Sequence, residues 1–125
     1  MKKSSANAPE PAPIKNEREP CWDYLLRCHS CEVIDNPQLR EDIIERDAEG
    51  VRKYGTKLQP FNGRNPDVDM YQEILDAVVY CAQCLQEAEA GHPERGKREW
   101  LYRTLLSSLL GHARVMSVVA RASKR

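Results

Sequence analysis

Three acids in the middle of the chain, Asp69, Glu73 and Asp76, are followed at the same rhythm by Tyr80. On a helix, residues three and four apart stand one above the other, so these carboxylates share one narrow band. Like charges so crowded repel each other. A divalent cation relieves the repulsion, because Mg²⁺ takes carboxylate oxygens and keeps waters and substrate phosphates in its remaining positions. Cys84 prolongs the band with a less polar group, which argues against a face turned simply to bulk water. The plain alternative is a solvated acidic face.

A fourth acid stands out by its surroundings. At about 100° per residue, Leu39, Ile43, Ile44, Val51 and Tyr54 share one helical face, and Asp47 falls in its middle while Glu41 and Glu45 point away. A carboxylate aimed at an apolar face must be paired, hydrogen-bonded or bound to metal. Its structural explanation is a salt bridge to Arg40 or Arg64. Complementary charge follows in the segment GTKLQPFNGRNP, where Lys57 and Arg64, with Lys53 just before them, could hold phosphate oxygens. Tyr54 and Asn62 complete a candidate nucleotide-binding set, although Asn62-Gly63 is equally a turn signal.

The elements that must position these residues are helical. Asn36-Pro37 supplies an N-cap and a proline at the first helical position, and the pattern predicts a helix to about Tyr54 with Gly55 as its stop. Asn65-Pro66 repeats the start signal for a helix to about Ala90, ended by Gly91-His92-Pro93. A last helix is expected from about Lys97 to Ala122, with His112 read as a satisfied core histidine. Cys21 to Val33 reads as a short helix or cap. No strand alternation and no internal repeat is found. The expected fold is all-α, a bundle of three long helices plus a short N-terminal helix or cap, completed by oligomerisation.

Residues 45 to 80, ERDAEGVRKYGTKLQPFNGRNPDVDMYQEILDAVVY, resemble a segment of the MazG-like nucleotide pyrophosphohydrolases found among phage proteins. The shared features are an Arg-Asp pair, KYGT-x-L, an NGR loop and a YQE-x-x-D helix leading into an apolar run. The resemblance implies an all-α enzyme that cleaves an NTP or dNTP between the α and β phosphates with Mg²⁺. It implies ligands on two helices, EE-x-x-E on the first and E-x-x-D on the second. Glu73 and Asp76 match the second. Glu41-Asp42-Ile43-Ile44-Glu45 is a variant of the first, and Asp47 is the better-placed acid. The candidate metal ligands are therefore Asp47, Glu73 and Asp76, with Asp42 and Asp69 as further candidates. Glu45 and Glu73 are the candidate catalytic carboxylates, Glu45 as the base. A homodimer or homotetramer is implied as well, since so few helices cannot enclose a nucleotide.

Two rival readings come from other features. The imperfect EE-x-x-E suits a non-catalytic phage protein that binds a nucleotide or a partner on the same scaffold. Cys28-His29-Ser30-Cys31 and Cys81-Ala82-Gln83-Cys84 look like a split zinc site, with Cys21 and His29 as spare ligands. An odd count of five cysteines argues against a disulfide framework. The chain has 41% hydrophobic and 30% charged residues and no apolar run fit to span a bilayer, so no membrane partner is expected. Its basic start leads into Ser, Asn and Pro rather than an apolar stretch, so a cytoplasmic location is expected. The formal charge is zero, and nucleic acid is not an expected partner. Residues 1 to 20, rich in Pro, Ala and Glu, read as a disordered arm before a single domain over 21 to 125.

Overall fold

The computed structural model describes residue 6, residues 10–28 and residues 35–123, with only the backbone of Cys28. The helices are α1 (Cys21–Cys28), α2 (Pro37–Tyr54), α3 (Pro66–Glu89), α4 (Pro93–Gly96) and α5 (Glu99–Ala122), and no strand occurs among the described residues. The protein is all-helical there, as its periodicity requires. Both Asn-Pro signals open helices. Asn36 Oδ1 accepts the Leu39 N–H at 3.0 Å, and Asn65 Oδ1 accepts the Asp67 N–H at 3.1 Å. Gly55 closes α2 in the left-handed region at φ 73°, where a side chain is strained, and its N–H donates to Val51 O.

Two differences from the expected boundaries have local causes. Pro93–Gly96 forms a helical turn where a stop was expected, because His92 Nδ1 accepts the Glu94 and Arg95 N–H groups. The last helix then starts at Glu99 rather than Lys97, behind an Arg98 that makes no side-chain cap.

The described chain packs as two compact units, Pro11–Arg64 and Met1–Glu10 with Asn65–Arg125. In the second, α3 packs along α5 and against α4. Val68, Tyr71 and Ala120 form its buried cluster, flanked by Ala6, Leu75 and Met116. A capping network closes the same end. Asn65 N–H donates to Glu10 Oε2 at 2.8 Å, and Ser123 Oγ lies 3.0 Å from Asp67 Oδ2 and 3.2 Å from Asn65 Oδ1.

In the unit Pro11–Arg64, α1 packs on α2, which has no fully buried residue. Residues 11 to 20, part of the segment read from composition as a disordered arm, lie along the loop after α2. Ile14 N–H donates to Asn62 O at 2.8 Å, and Asn16 Nδ2 donates to Pro60 O at 2.9 Å. Gln59 Nε2 returns a bond to Asn16 O at 2.7 Å. Gly63 adopts φ 84°, a conformation that strains any side chain, and Ile14 Cδ1 lies 3.1 Å from where its Cβ would be.

Candidate functional site

The α3 band is built as its spacing dictates. Glu73, Asp76 and Tyr80 are exposed and Asp69 is half-buried. Neither Glu73 nor Asp76 is paired with a basic side chain among the described residues. Tyr80 is open to solvent, while Cys84, one turn further along the band, is half-buried. The N-terminal end of α3 adds the positive end of a helix dipole beneath Asp67 and Asp69. Among the described residues, no three His, Cys, Asp or Glu side chains converge within a unit to hold a metal ion.

Asp47 is half-buried, as its place on the apolar face requires, with a side chain only 15% exposed. Its partner differs from both expected arginines. Lys57 Nζ lies 3.1 Å from Asp47 Oδ2 and 3.2 Å from Asp23 Oδ1. Gly55 turns the chain at the end of α2, and Lys57 reaches back from just beyond it. Arg64 instead donates to Pro11 O at 2.8 Å, and Arg40 is exposed. Hydrogen bonds to Asp47 and then Asp23 raise the Lys57 pKa above the ordinary 10.5. Asp47 Oδ1 remains buried with no hydrogen-bond partner among the described residues, a costly state for a carboxylate oxygen.

The other acids of α2 face outward. Glu41, Asp42 and Glu45 are exposed, and Asp42 accepts a bond from Gln38 at 3.0 Å. Lys53 lies over the Tyr54 ring, 5.2 Å from its centroid, with both residues exposed. Asn62 is buried, its Oδ1 accepting the Arg64 N–H at 3.1 Å, which is turn chemistry. Of the nucleotide-binding set, Lys57, Asn62 and Arg64 thus already hold intramolecular partners. Lys53 and Tyr54 stand on the surface at the end of α2.

Sequence reasoning missed Asp23 as a charge partner and Phe61 altogether. Phe61 is 79% exposed and adopts φ 55°, a strained conformation for a bulky residue. Arg18 stacks over its ring at 4.7 Å. Nearby residues Arg18, Glu19, Cys21, Tyr24 and Pro60 line a surface recess of about 380 Å³. Nothing in the periodicity marks these residues, because a single-residue conformation and a long-range stack leave no repeat.

The cysteines are free thiols where described. Cys81 is buried on α3 and its Sγ donates to Tyr102 O at 3.2 Å, while Cys84 is half-buried one turn along. Burial, and then the neighbouring Cys84, push the Cys81 thiol up. The side chains of Cys28, His29 and Cys31, the other half of the expected zinc site, lie outside the described residues. The expected core position of His112 is not met: the residue is exposed, with Nδ1 2.8 Å from Ser108 O. No described helix is long and apolar enough to cross a membrane.

No protein-family model matches the chain, and neither a curated protein nor a solved structure does.

Proposed function

We propose that the protein is a Mg²⁺-dependent nucleoside triphosphate pyrophosphohydrolase on an all-α bundle, working as a homo-oligomer. The observation that carries this reading is the pair Glu73 and Asp76, one turn apart on α3, exposed and without a basic partner among the described residues. Their oxygens are free to take a hard cation, and Asp69 on the same band is a third donor. The α2 candidate, Asp47, belongs to the other unit, where its Oδ1 is buried with no hydrogen-bond partner among the described residues. Asp42 is the lesser α2 candidate. When bound, Mg²⁺ supplies charge neutralisation on the phosphates and lowers the pKa of water.

The chain's own residues do the rest. Glu45, exposed and without a partner among the described residues, takes the proton of the water that attacks the α phosphorus. The bond from that phosphorus to the oxygen bridging to the β phosphate breaks, giving a nucleoside monophosphate and pyrophosphate. Lys53 and Arg64 offset the charge that gathers on the leaving pyrophosphate. The alternative is nucleotide or partner binding without hydrolysis. It is favoured by the outward position of Glu41 and Glu45, which leaves Asp47 the only half-buried acid of α2.

Pyrophosphate release from each NTP and dNTP with Mg²⁺ is the direct test. Glu73→Gln and Asp76→Asn should each abolish it and remove the Mg²⁺-induced rise in melting temperature. That rise corresponds to about 2.7 kcal/mol at a hundredfold excess over the dissociation constant. Without Mg²⁺ the same variants should be as stable as the parent, or slightly more so, since a like-charge repulsion is gone. A parent with no Mg²⁺ response refutes the metal site. A parent that responds but releases no pyrophosphate from any nucleotide leaves the binding alternative.

A further inference from the structure

Residues 11 to 21 and the loop from 58 to 64 are laced together within one unit. Arg64 Nη1 donates to Pro11 O at 2.8 Å, and the Ile14 N–H donates to Asn62 O at 2.8 Å. Asn16 Nδ2 donates to Pro60 O at 2.9 Å and Phe61 O at 3.1 Å. The Asn16 N–H donates to Gln59 Oε1 at 3.1 Å, and Gln59 Nε2 donates to Asn16 O at 2.7 Å and Arg18 O at 2.9 Å. The Cys21 N–H donates to Leu58 O at 2.8 Å. Partner numbers fall from 64 to 58 as those of the first segment rise, so the two run antiparallel. The lacing is polar, since Ile14 is the one large apolar residue between 11 and 20.

Two residues of the loop are held by this lacing away from what they would otherwise prefer. The Arg64 guanidinium, a fork that matches two charged oxygens, is engaged by a neutral carbonyl, which is the weaker partner. Phe61 stands at φ 55°, a region that bulky residues avoid. Its carbonyl is held by Asn16, and Arg18 lies over its ring at 4.7 Å. Strain of this kind persists only where the surroundings impose it, and here both contacts come from the first segment. A segment fastened by hydrogen bonds with little apolar burial opens at low cost in free energy. Laced and released are thus two accessible states, and a ligand that takes Arg64 favours the second.

We propose that residues 11–18 are an inhibitory strap, which withholds Arg64 from a phosphate chain and is displaced when one binds. This rests on reading Arg64 as a phosphate-binding residue, and it adds the regulation of that residue. A polyphosphate offers the guanidinium charged oxygens in place of one neutral carbonyl. Arg64 lies within four residues of Pro60, Phe61 and Asn62, whose carbonyls hold the strap. Turning Arg64 towards a phosphate therefore moves those carbonyls off their donors, and Phe61 relaxes as its bond to Asn16 goes. Apparent affinity falls with the fraction of time the site is open, so a strap released a tenth of the time weakens binding about tenfold. The coupling is reciprocal: whatever loosens the strap tightens the ligand, and the ligand loosens the strap.

Inorganic tripolyphosphate, titrated by calorimetry in EDTA, probes the cation without engaging the carboxylates through Mg²⁺. Asn16→Ala and Gln59→Ala, each in the full chain, cut the lacing at different atoms. Each should raise affinity about fivefold or more while far-UV circular dichroism is unchanged. The gain should vanish when Asn16→Ala is combined with Arg64→Ala. In the parent, saturating tripolyphosphate should speed amide hydrogen exchange across residues 12 to 18, where a ligand bound over an intact strap would slow it. Equal affinity in the parent and both variants overturns the proposal, and so does strap exchange that the ligand leaves unmoved or slows. Tripolyphosphate that binds none of the proteins overturns it as well. A parent that releases pyrophosphate from a nucleotide but fails these tests keeps the hydrolase reading and loses the strap. Passing them in a parent inert towards every nucleotide upholds the strap and removes the hydrolase.

Discussion

One amide, that of Asn65, holds the start of α3, and its loss reaches further than an ordinary cap. Its Oδ1 accepts two backbone N–H groups and lies beside Ser123, which ties the first turn of α3 to the end of α5. Asn65→Ala should therefore cost about 1–2 kcal/mol, the upper part of the range for caps. Urea unfolding measures it, and a loss below about 0.5 kcal/mol would show that the Ser123 link adds nothing. Lys57 gives a prediction in pH. Its folded pKa lies above the ordinary 10.5, so its contribution to stability is full below that value and fades as pH rises through the folded one. The stability gap between the parent and Lys57→Met should be widest near neutrality and close in strong alkali. A gap that widens there contradicts the assignment. Asp47 itself was legible as an acid on an apolar face. Its partner was not, because a lysine beyond a glycine turn stands in no periodic relation to it.

Among the elements, helix starts were the most legible feature of the sequence. Asn36-Pro37 and Asn65-Pro66 carry cap and dihedral restraint in adjacent residues, and both open helices. The turn at Pro93–Gly96 was not legible, since a histidine ring does the capping there and lies outside the usual Ser, Thr, Asp and Asn set. Two glycines on α2 should respond oppositely to the same change. Gly50 is inside the helix with open space at its Cβ, so Gly50→Ala should stabilise by about 0.5–1 kcal/mol. Gly55 ends the helix at φ 73°, and Gly55→Ala should destabilise by about 1 kcal/mol or more. Chemical denaturation of both variants checks the pair. Equal signs would place the end of α2 elsewhere.

At the scale of the molecule, hydrophobic pattern settled the helical class and left the tertiary arrangement open. The buried apolar residues are few and mostly small: Val68, Tyr71, Cys81, Ala88, Ala113 and Ala120. Alanines on two long helices give close backbone approach, yet as weak hydrophobes they barely mark a face in a sequence. The contacts of residues 11 to 20 were equally invisible. They rest on amide-to-carbonyl bonds such as Asn16 to Pro60, which low apolar content does not reveal. The candidate site was legible where it follows one helix, as with Glu73 and Asp76. It was not where a side chain is held by a distant carbonyl, as with Arg64.

The burial of the Cys81 sulfur between α3 and α5 makes it a clock for the breathing of that pair. A thiol reagent reaches it only while the helices part, so its alkylation rate counts openings, whereas half-buried Cys84 on the same helix records the reagent itself. Peptide mass mapping after timed alkylation of the native protein should find Cys84 modified much faster than Cys81. Denaturant too dilute to unfold the chain should narrow the difference if the helices separate locally, and leave it intact if they part only in global unfolding. Equal rates in buffer would mean that the two helices are seldom closed.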